Sequence, residues 1–564
     1  MGYGPEFVSA LADDLFARLA GASVSKVEGG ADWVVCHTRQ GDLFLSWSAD
    51  SFGATVLHPS EKTIPRILGA TRGGIALALA KHLNGASIQE IRQERNDRVL
   101  SFRFRRFVGA GVQSEHTLIL ELTGRLSNAV LIDEEGIIVE PARHVHPDVN
   151  RYRTILPGLA YTGPPPLDGH PWDEISPDTV RKYLSRPLGI GRPLRAHLMA
   201  LLDEAILDEA AIIRGLSAIR DGHSLTVYGL DGYLTVWPED LPKGTPLAGT
   251  PLDGGRTQSL DRKLARIRDE LVSSGQKALR RSLKGIDRHR DGLLRQLAMI
   301  DEAEALKRKG QAILANVHAI APRSTEARLP FWDEEGKEVA VQVHLNPDLN
   351  PAGNAERYFK KYRKYSADEF QVRRNLTRVQ ERRDELETQR DNLERIQDLT
   401  VLRKLVRELS GASDRERPKA KGKRQEDEPP HVRYDVDRSV ILVGLNERGN
   451  RHVTFRLAGP DDLWFHVHEL PGSHVILKPE PGRKPEPWLI DTCASLALYY
   501  SKGASLPRCS VDYTTRKHVR HIPGAGPAQV TYKNSLSRTV TPDLWREGIE
   551  GPHEVSREDD SESS

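Results

Sequence analysis

Apolar positions follow different rhythms in different parts of the chain. Up to about residue 165, short runs such as DWVVCHTR, GDLFLSWS, RVLSFRFRRF, HTLILEL and NAVLIDEEGIIVE are rich in β-branched and aromatic residues. Turn residues separate them, so they read as strands. Glu6 to Leu19 and Thr71 to Leu83 place apolar residues at helical spacing. An α+β domain is expected over residues 1–175, closed by the Pro- and Gly-rich ILPGLAYTGPPPLDGHP. Residues 176–222 turn helical around RPLGIGRPLRAHLM, and LTVYGLDGYLTVWP then returns to strand pattern. The helical piece therefore reads as a hairpin inserted in the first domain, which residues 223–255 complete.

The rhythm then lengthens to sevens. Leu279, Ile286, Leu293 and Ile300 recur at that interval with Leu283 and Leu297 at complementary positions, and so do Tyr358, Tyr365, Val372, Val379, Leu386 and Leu393. In the second series Arg383 and Arg390 share the other seam position with Leu376, which makes that stripe half-polar. Sustained heptads predict a long antiparallel coiled-coil arm over 256–412, with a small β element near 328–350 at LPFWDEEGKEVAVQVHLNPDLNP. Roughly 60 residues per helix gives an arm of about 90 Å, built for reach. Residues 413–430 are charged and Pro-bearing without apolar periodicity, as expected of a disordered linker. A second α+β domain is expected over 431–543, with strands in SVILVGLN and VTFRLA, a helix from Leu489 to Tyr500, and strands near CSVDYT and AQVTYK. An acidic, disordered tail is expected over 544–564.

Composition narrows the class. Three cysteines, Cys36, Cys493 and Cys509, form no CxxC and join no close Cys/His quartet, which fits a reducing compartment without disulfides or structural zinc. The first residues lack a basic start followed by an apolar run, and no stretch is apolar enough to span a membrane, so a cytoplasmic location is expected. A formal net charge of +2 neither demands nor excludes nucleic acid. Clustering of the basic residues decides that.

Several clusters could carry chemistry. In the turn Leu188-Gly189-Ile190-Gly191, Gly189 and Gly191 leave backbone amides at the next helix's N-terminus, where the dipole favours phosphate. The bland alternative is an ordinary tight helix connection. ERNDRVLSFRFRRF sets Asp97 and Arg98 directly before an arginine-bearing strand. That pair is either a local salt bridge or a grip on phosphate and base edges. ERYFKKYRKY interleaves Lys360, Lys361 and Arg363 with aromatics, a phosphate-tracking surface. DDLWFHVHELPGSHVILK gathers Trp464, His466, His468 and His474 around a tight Pro471-Gly472-Ser473 turn, and TTRKHVRH adds Arg516 and Lys517 with no intervening acid. These groups could stack on bases or pair with phosphates, against the alternative readings of structural histidines and a solvated charged face. No nucleophile elbow, P-loop, HExxH or dinucleotide fingerprint is present, so no enzyme chemistry, cofactor or metal is expected.

The motifs KHLNGASIQEIRQERNDRVLSF, ELTGRLSNAVLID, RTILPGLAYTGPP, KGQAILANVHAI, NPAGNAERYFKKYRK, DLWFHVHELPGSHVILK and YYSKGASLPRCSVDYTTRKHV occur in this order over nearly the whole length. In them the chain resembles the NFACT family of ribosome quality-control proteins. The resemblance implies a multidomain α+β fold: an NFACT-N domain with a helix-hairpin-helix, a coiled-coil arm and a C-terminal NFACT-R RNA-binding domain. It also implies binding to large ribosomal subunits obstructed by peptidyl-tRNA, contact with ribosomal RNA, and recruitment of tRNA, alanyl-tRNA in bacterial relatives, for untemplated C-terminal tailing. By that resemblance Asp97 and Arg98 handle tRNA, and Glu121, Arg125, Ser127 and Asn128 line the same face. Asp462, Trp464, His466, Ser473 and His474 fall on the matching NFACT-R motif. The family's usual Phe-Asp-Gly near the start is here Tyr3-Gly4-Pro5, which bears on tailing and on tRNA choice more than on ribosome binding. Three rivals remain open: a non-tailing ribosome- or tRNA-binding factor, a fibronectin-binding surface adhesin suggested by the family's older name, and a DNA glycosylase suggested by fold kinship.

Overall fold

The computed structural model describes residues 2–550 except 72, 110–111, 173–174, 223–224, 239, 248, 333–335, 367–368, 412–427, 524–525 and 527. The chain divides into two units, Met1–Arg268 and Asp269–Ser564. Most of the expected linker and most of the acidic tail lie outside the described residues.

The first unit holds three antiparallel-rich sheets. Strands Val24–Gly29, Trp33–Thr38, Asp42–Trp47 and Phe52–Leu57 form one meander. Ser87–Gln93, Val99–Gly109, Val112–Glu121, Asn128–Asp133 and Ile138–Pro141 form a second. The third pairs Gly2–Tyr3 in parallel with Tyr233–Pro238, which also pairs with Leu225–Leu230. Helix Pro5–Leu19 starts on Pro5, tolerated where no intrahelical N–H is needed, and buries Phe7, Val8, Leu11, Leu15 and Leu19 along one stripe. Helices Val180–Ser185, Arg192–Asp203 and Glu209–Asp221 share that core through Leu184, Leu194, Leu198 and Leu216. Pairing of the first strand with one near residue 233 joins this unit's ends around the helical segment.

In the second unit the long helix Arg262–Ala315, which starts in the first, carries 54 residues, about 80 Å. Its apolar seam meets the returning helix through Leu293, Ile300 and Val372, with Leu297, Leu376 and Val379 packed beside them. The polar seam residue Arg383 finds Asp287 on the long helix at 3.1 Å. The return is not the single helix that the heptads predict. It runs as Pro351–Tyr365, Glu369–Arg395 and Leu399–Leu409, because Ser366 leaves helical geometry at ψ 112° and Asp398 caps a new start. Between the halves, hairpin Glu326–Trp332/Glu338–His344 closes a small core with Ala312, Ile313 and Ala355.

The C-terminal sheet has six strands in the order His431–Val436, Ser439–Gly444, Val475–Lys478, Leu463–Val467, Cys509–Thr515, Leu536–Val540. Helix Pro487–Tyr499 packs on it, burying Leu489, Cys493, Leu496 and Leu498. VTFRLA is not a strand. Asn446 caps helix Glu447–His452 through Gly449 N–H at 2.7 Å, and the helix carries on into Val453–Leu457 as a wider turn. Residues Leu544–Glu550, expected to begin the disordered tail, are helical and pack on Pro487–Tyr499.

Candidate nucleic-acid interface

Strand Ser87–Gln93 turns into Val99–Gly109 through Arg95 and Asn96, both at positive φ (55° and 53°). Two consecutive positive φ values make a type I′ hairpin turn, whose twist suits the flanking strands. Asp97 N–H donates to the Glu94 carbonyl, closing the turn. Gln93 Nε2 donates to the carbonyls of Asp97 (2.8 Å) and Pro5 (2.6 Å), which locks the turn to the N-terminal helix. Asp97 Oδ1 accepts from Arg98 N–H at 2.7 Å and lies 3.9 Å from Arg98 Nε, so the carboxylate orients its neighbour without consuming its guanidinium.

The sequence did not reveal what faces this pair. A cleft of about 550 Å³ is lined by Asp97, Arg98, Gly191, Arg192, Tyr3, Tyr233 and Asp231 among others. The hairpin turn of the helical segment thus meets the Asp97-Arg98 turn, although about ninety residues separate them. Arg192 is exposed, and no ion pair holds it among the described residues. Its place directly after Gly191 was the one signal that could have found it. Tyr233 gave none, since an isolated tyrosine in a strand pattern normally packs.

The phosphate expectation for the turn needs correcting. Gly191 N–H is already taken, at 2.7 Å, by Oε2 of buried Glu6, whose Oε1 accepts from Thr235 at 2.6 Å. Burial pushes the Glu6 carboxyl above its usual range. An acid does sit at the helix N-terminus, but it is the chain's own. A Cβ on Gly4 would fall 1.9 Å from Glu6 Oε1, so this carboxylate fills the space that a side chain at residue 4 would take. Gly189 serves geometry: its φ is +77°, and a Cβ there would meet Trp172 Nε1 at 2.5 Å.

Glu121, Ser127 and Asn128 do not line the face. Glu121 is fully buried and holds Arg153 through two bonds of 2.6 and 2.7 Å while accepting from Tyr161 at 2.8 Å. Asn128 pins the strand edge, accepting from Arg143 N–H and donating to its carbonyl. Ser127 is buried. None offers surface to a macromolecule, so the expectation of direct contact fails for these three. Arg125 is exposed, with Leu126 beside it.

In the second unit Lys360, Lys361 and Arg363 are exposed on helix Pro351–Tyr365. The NFACT-R motif behaves differently. Trp464 is fully buried, stacked on His466 (5.7 Å, 14°) and edge-on to His474 (5.2 Å). His474 Nδ1 bonds Thr454 Oγ1 at 2.9 Å. Burial holds both imidazoles below their usual range, His466 down to about 4, so both are neutral at neutral pH. Ser473 is buried as well. Asp462 Oδ2 accepts from Gly459 N–H and Lys478 Nζ, both at 2.7 Å, and so fixes the strand entry. For Trp464, Ser473 and His474 direct RNA contact is therefore corrected to core structure. Arg516 lies over the Phe455 ring at 5.1 Å and donates to the Thr454 carbonyl, while Lys517 pairs with exposed Asp461 at 3.0 Å. Among the described residues no group of three or more His, Cys, Asp or Glu could hold a metal ion, and no helix is long and apolar enough to cross a membrane.

Residues 6–202 and 261–427 match the family described as NFACT N-terminal and middle domains, and 431–529 match the NFACT protein RNA binding domain. The Rqc2 homolog RqcH of Streptococcus suis is 27% identical over 576 residues, covering 96% of this chain and 98% of that protein. The Rqc2 homolog RqcH of Bacillus subtilis is 28% identical over 521 residues, covering 83% and 85%. Among solved structures, the C-terminal part of the fibronectin/fibrinogen-binding protein from Streptococcus suis is 23% identical and covers 51% of this chain and 98% of that one, with a TM-score of 0.35.

Proposed function

The chain belongs to the NFACT family, and on that premise we propose that it is a ribosome quality-control factor. In this reading it binds large ribosomal subunits obstructed by peptidyl-tRNA and presents tRNA, alanyl-tRNA by family resemblance, for untemplated tailing of the stalled chain. Bond formation is left to the ribosome's own peptidyl-transferase centre, and the protein acts as a guide in the cytoplasm.

The observation that supports this most is the cleft of the first unit, which sets Arg98 and Arg192 beside Asp97. Two guanidiniums with the carboxylates of Asp97 and Asp231 suit a partner with phosphates and base edges, since the cations hold the backbone while an acid accepts from base amino groups. The exposed Lys360, Lys361 and Arg363 and the Arg516-Lys517 turn supply further positive surface in the second unit. With no acidic side chain at residue 4 and the Glu6 carboxylate buried in that space, this cleft departs from the family pattern where tRNA is chosen.

Pelleting of large subunits from lysate, followed by sequencing of co-purified tRNA, tests the reading. Wild-type protein should pellet with large subunits and enrich a narrow set of tRNAs. The Asp97→Ala/Arg98→Ala variant should still pellet but lose the tRNA. Absence of the wild-type chain from large-subunit fractions would overturn the assignment.

A further inference from the structure

Both walls of the first unit's cleft are tied to two consecutive residues at the start of helix Pro5–Leu19. The Pro5 carbonyl accepts from Gln93 Nε2 at 2.6 Å, and the same amide holds the Asp97 carbonyl, so the Asp97-Arg98 turn hangs on Pro5. The next side chain, Glu6, reaches the other wall. Its Oε2 accepts from Gly191 N–H at 2.7 Å, directly before Arg192, and its Oε1 accepts from Thr235 at 2.6 Å, two residues past Tyr233. Gly4 N–H donates to the Leu234 carbonyl at 2.9 Å, which ties the strand of Tyr233 to the same start.

Packing alone does not call for an acid here. Glu6 is 1% exposed, and no cation pairs with it among the described residues. Its charge faces the Tyr183 hydroxyl, which burial and that charge together raise above the usual range. An apolar side chain of similar volume would fill the space without the desolvation penalty. What the carboxylate supplies is a pair of aimed acceptors, which fix the start of helix Arg192–Asp203 against the strand of Tyr233. The cleft needs that fix, because its lining mixes Arg98 and Arg192 with Asp97 and Asp231. A phosphate is held in such a lining only where the cations lie nearer to it than the acids do.

We propose that Glu6 is a positioning residue: by holding the Gly191 amide it sets Arg192 at the spacing from Arg98 at which phosphates of one RNA are gripped together. Buried as it is, Glu6 touches no RNA itself. Pro193 follows Arg192 with a fixed φ, so the helix start has little slack and a shift at the Gly191 amide carries through to the guanidinium. The simple expectation for an acid close to an RNA site is thereby inverted. Removing an acid ordinarily strengthens RNA binding, whereas removing this one should weaken it and lower its salt dependence, because Arg192 loses its phosphate. The inference rests on the RNA-binding reading above, and it adds the residue that shapes the grip.

The test uses the full chain and a labelled tRNA transcript in filter binding across a salt series, with denaturant unfolding in parallel. Arg192→Ala should weaken binding about tenfold and flatten the log–log salt slope by about 0.7 to 0.9. Glu6→Ala should reproduce both changes, and Glu6→Ala/Arg192→Ala should lose no more than about twofold beyond Arg192→Ala alone. Glu6→Gln keeps an acceptor for Gly191 and can meet Thr235 with its amide, so it should retain wild-type affinity and slope. If Glu6→Ala does not fold, Glu6→Asp shortens the reach by one methylene and should show the same losses in smaller measure. Wild-type affinity and slope in the alanine variant, or in the aspartate variant standing in for it, overturn the proposal. Additive losses in the double variant overturn it as well, and leave Glu6 a merely structural acid. The two readings fail separately. Large-subunit pelleting and Arg98-dependent tRNA recovery with wild-type binding in Glu6→Ala would sink only the positioning role. Coupled losses at Glu6 and Arg192 in a chain that ignores large subunits would sink only the function proposed above, and a wild-type chain that binds no tRNA sinks both.

Discussion

In the first unit, Asp97 and Arg98 stand just past a two-residue turn, where the backbone bonds of the turn are closed and both residues line an open cleft. In the second, Trp464 and His466 stand on a central strand of a six-stranded sheet, with strands on both edges, and Val453, Phe455, Val519 and Tyr532 pack around the Trp464 ring. Both groups lie in motifs dense with polar, aromatic and charged residues. At the rim of a sheet such groups remain within reach of a partner. On a middle strand the same kinds of side chain are enclosed, to the point that the buried Trp464 indole N–H finds no hydrogen-bond partner among the described residues.

The largest expected effect tests the enclosed side. Trp464→Ala should remove a fully buried indole from the cluster with Leu442, Val453, Ile476 and Val519, and cost about 4 kcal/mol in denaturant unfolding of the full chain. A change under about 1 kcal/mol would mean that the ring is not core, and the contrast would break. Acid should act next. The folded His466 imidazole is held at about 4, below its unfolded value near 6.5, so the folded state disfavours the proton. Its stability contribution is therefore complete above about pH 6.5 and is lost as pH falls toward 4, on the order of 3 kcal/mol. His474 acts in the same direction. His468 opposes them, because Asp512 raises its pKa and its contribution fades as pH rises through that value. A His466→Gln variant should lose much of the acid sensitivity, and an unchanged pH profile of the unfolding midpoint would contradict the burial.

Arg98→Ala probes the accessible side. It should leave the unfolding midpoint within about 0.5 kcal/mol, because the guanidinium is about one-third exposed and only loosely tied at 3.9 Å. In filter binding it should cost about tenfold in tRNA affinity if it meets a base edge or phosphate. A stability loss without an affinity loss would put Arg98 on the structural side of the comparison.

Patterning revealed the architecture where period and packing agree. The heptads at Leu293, Ile300 and Val372 do form the arm's seam, and the alternating runs of the first 165 residues do become strands. It misled where a cap or tertiary packing overrode propensity. The β-branched VTFRLA went helical behind the Asn446 cap, and the returning arm broke at Ser366, which no Gly or Pro marks. The site was legible as a turn but not as a cleft, because the facing wall of Gly191, Arg192 and Tyr233 is brought there only by the fold. Glu121 looked functional for the reason that buried ion pairs often do, since a charged residue in a marked motif can serve Arg153 inside as readily as a partner outside.

The smallest expected effect decides whether the second unit keeps any accessible contact near its enclosed cluster. Lys517 pairs with Asp461 at 3.0 Å, with side chains 51% and 84% exposed, and such a pair is worth well under about 1 kcal/mol to folding. Asp461→Asn should therefore leave the unfolding midpoint unmoved. It also releases the ammonium, so if the Arg516-Lys517 turn meets phosphate, RNA affinity should rise modestly at low salt and the log–log salt slope should steepen by up to about 0.7 to 0.9. Lys517→Ala should shift both quantities the opposite way. If neither variant moves RNA affinity at low ionic strength, this turn is solvated surface, and RNA contact by the second unit passes to Lys360, Lys361 and Arg363 on the arm.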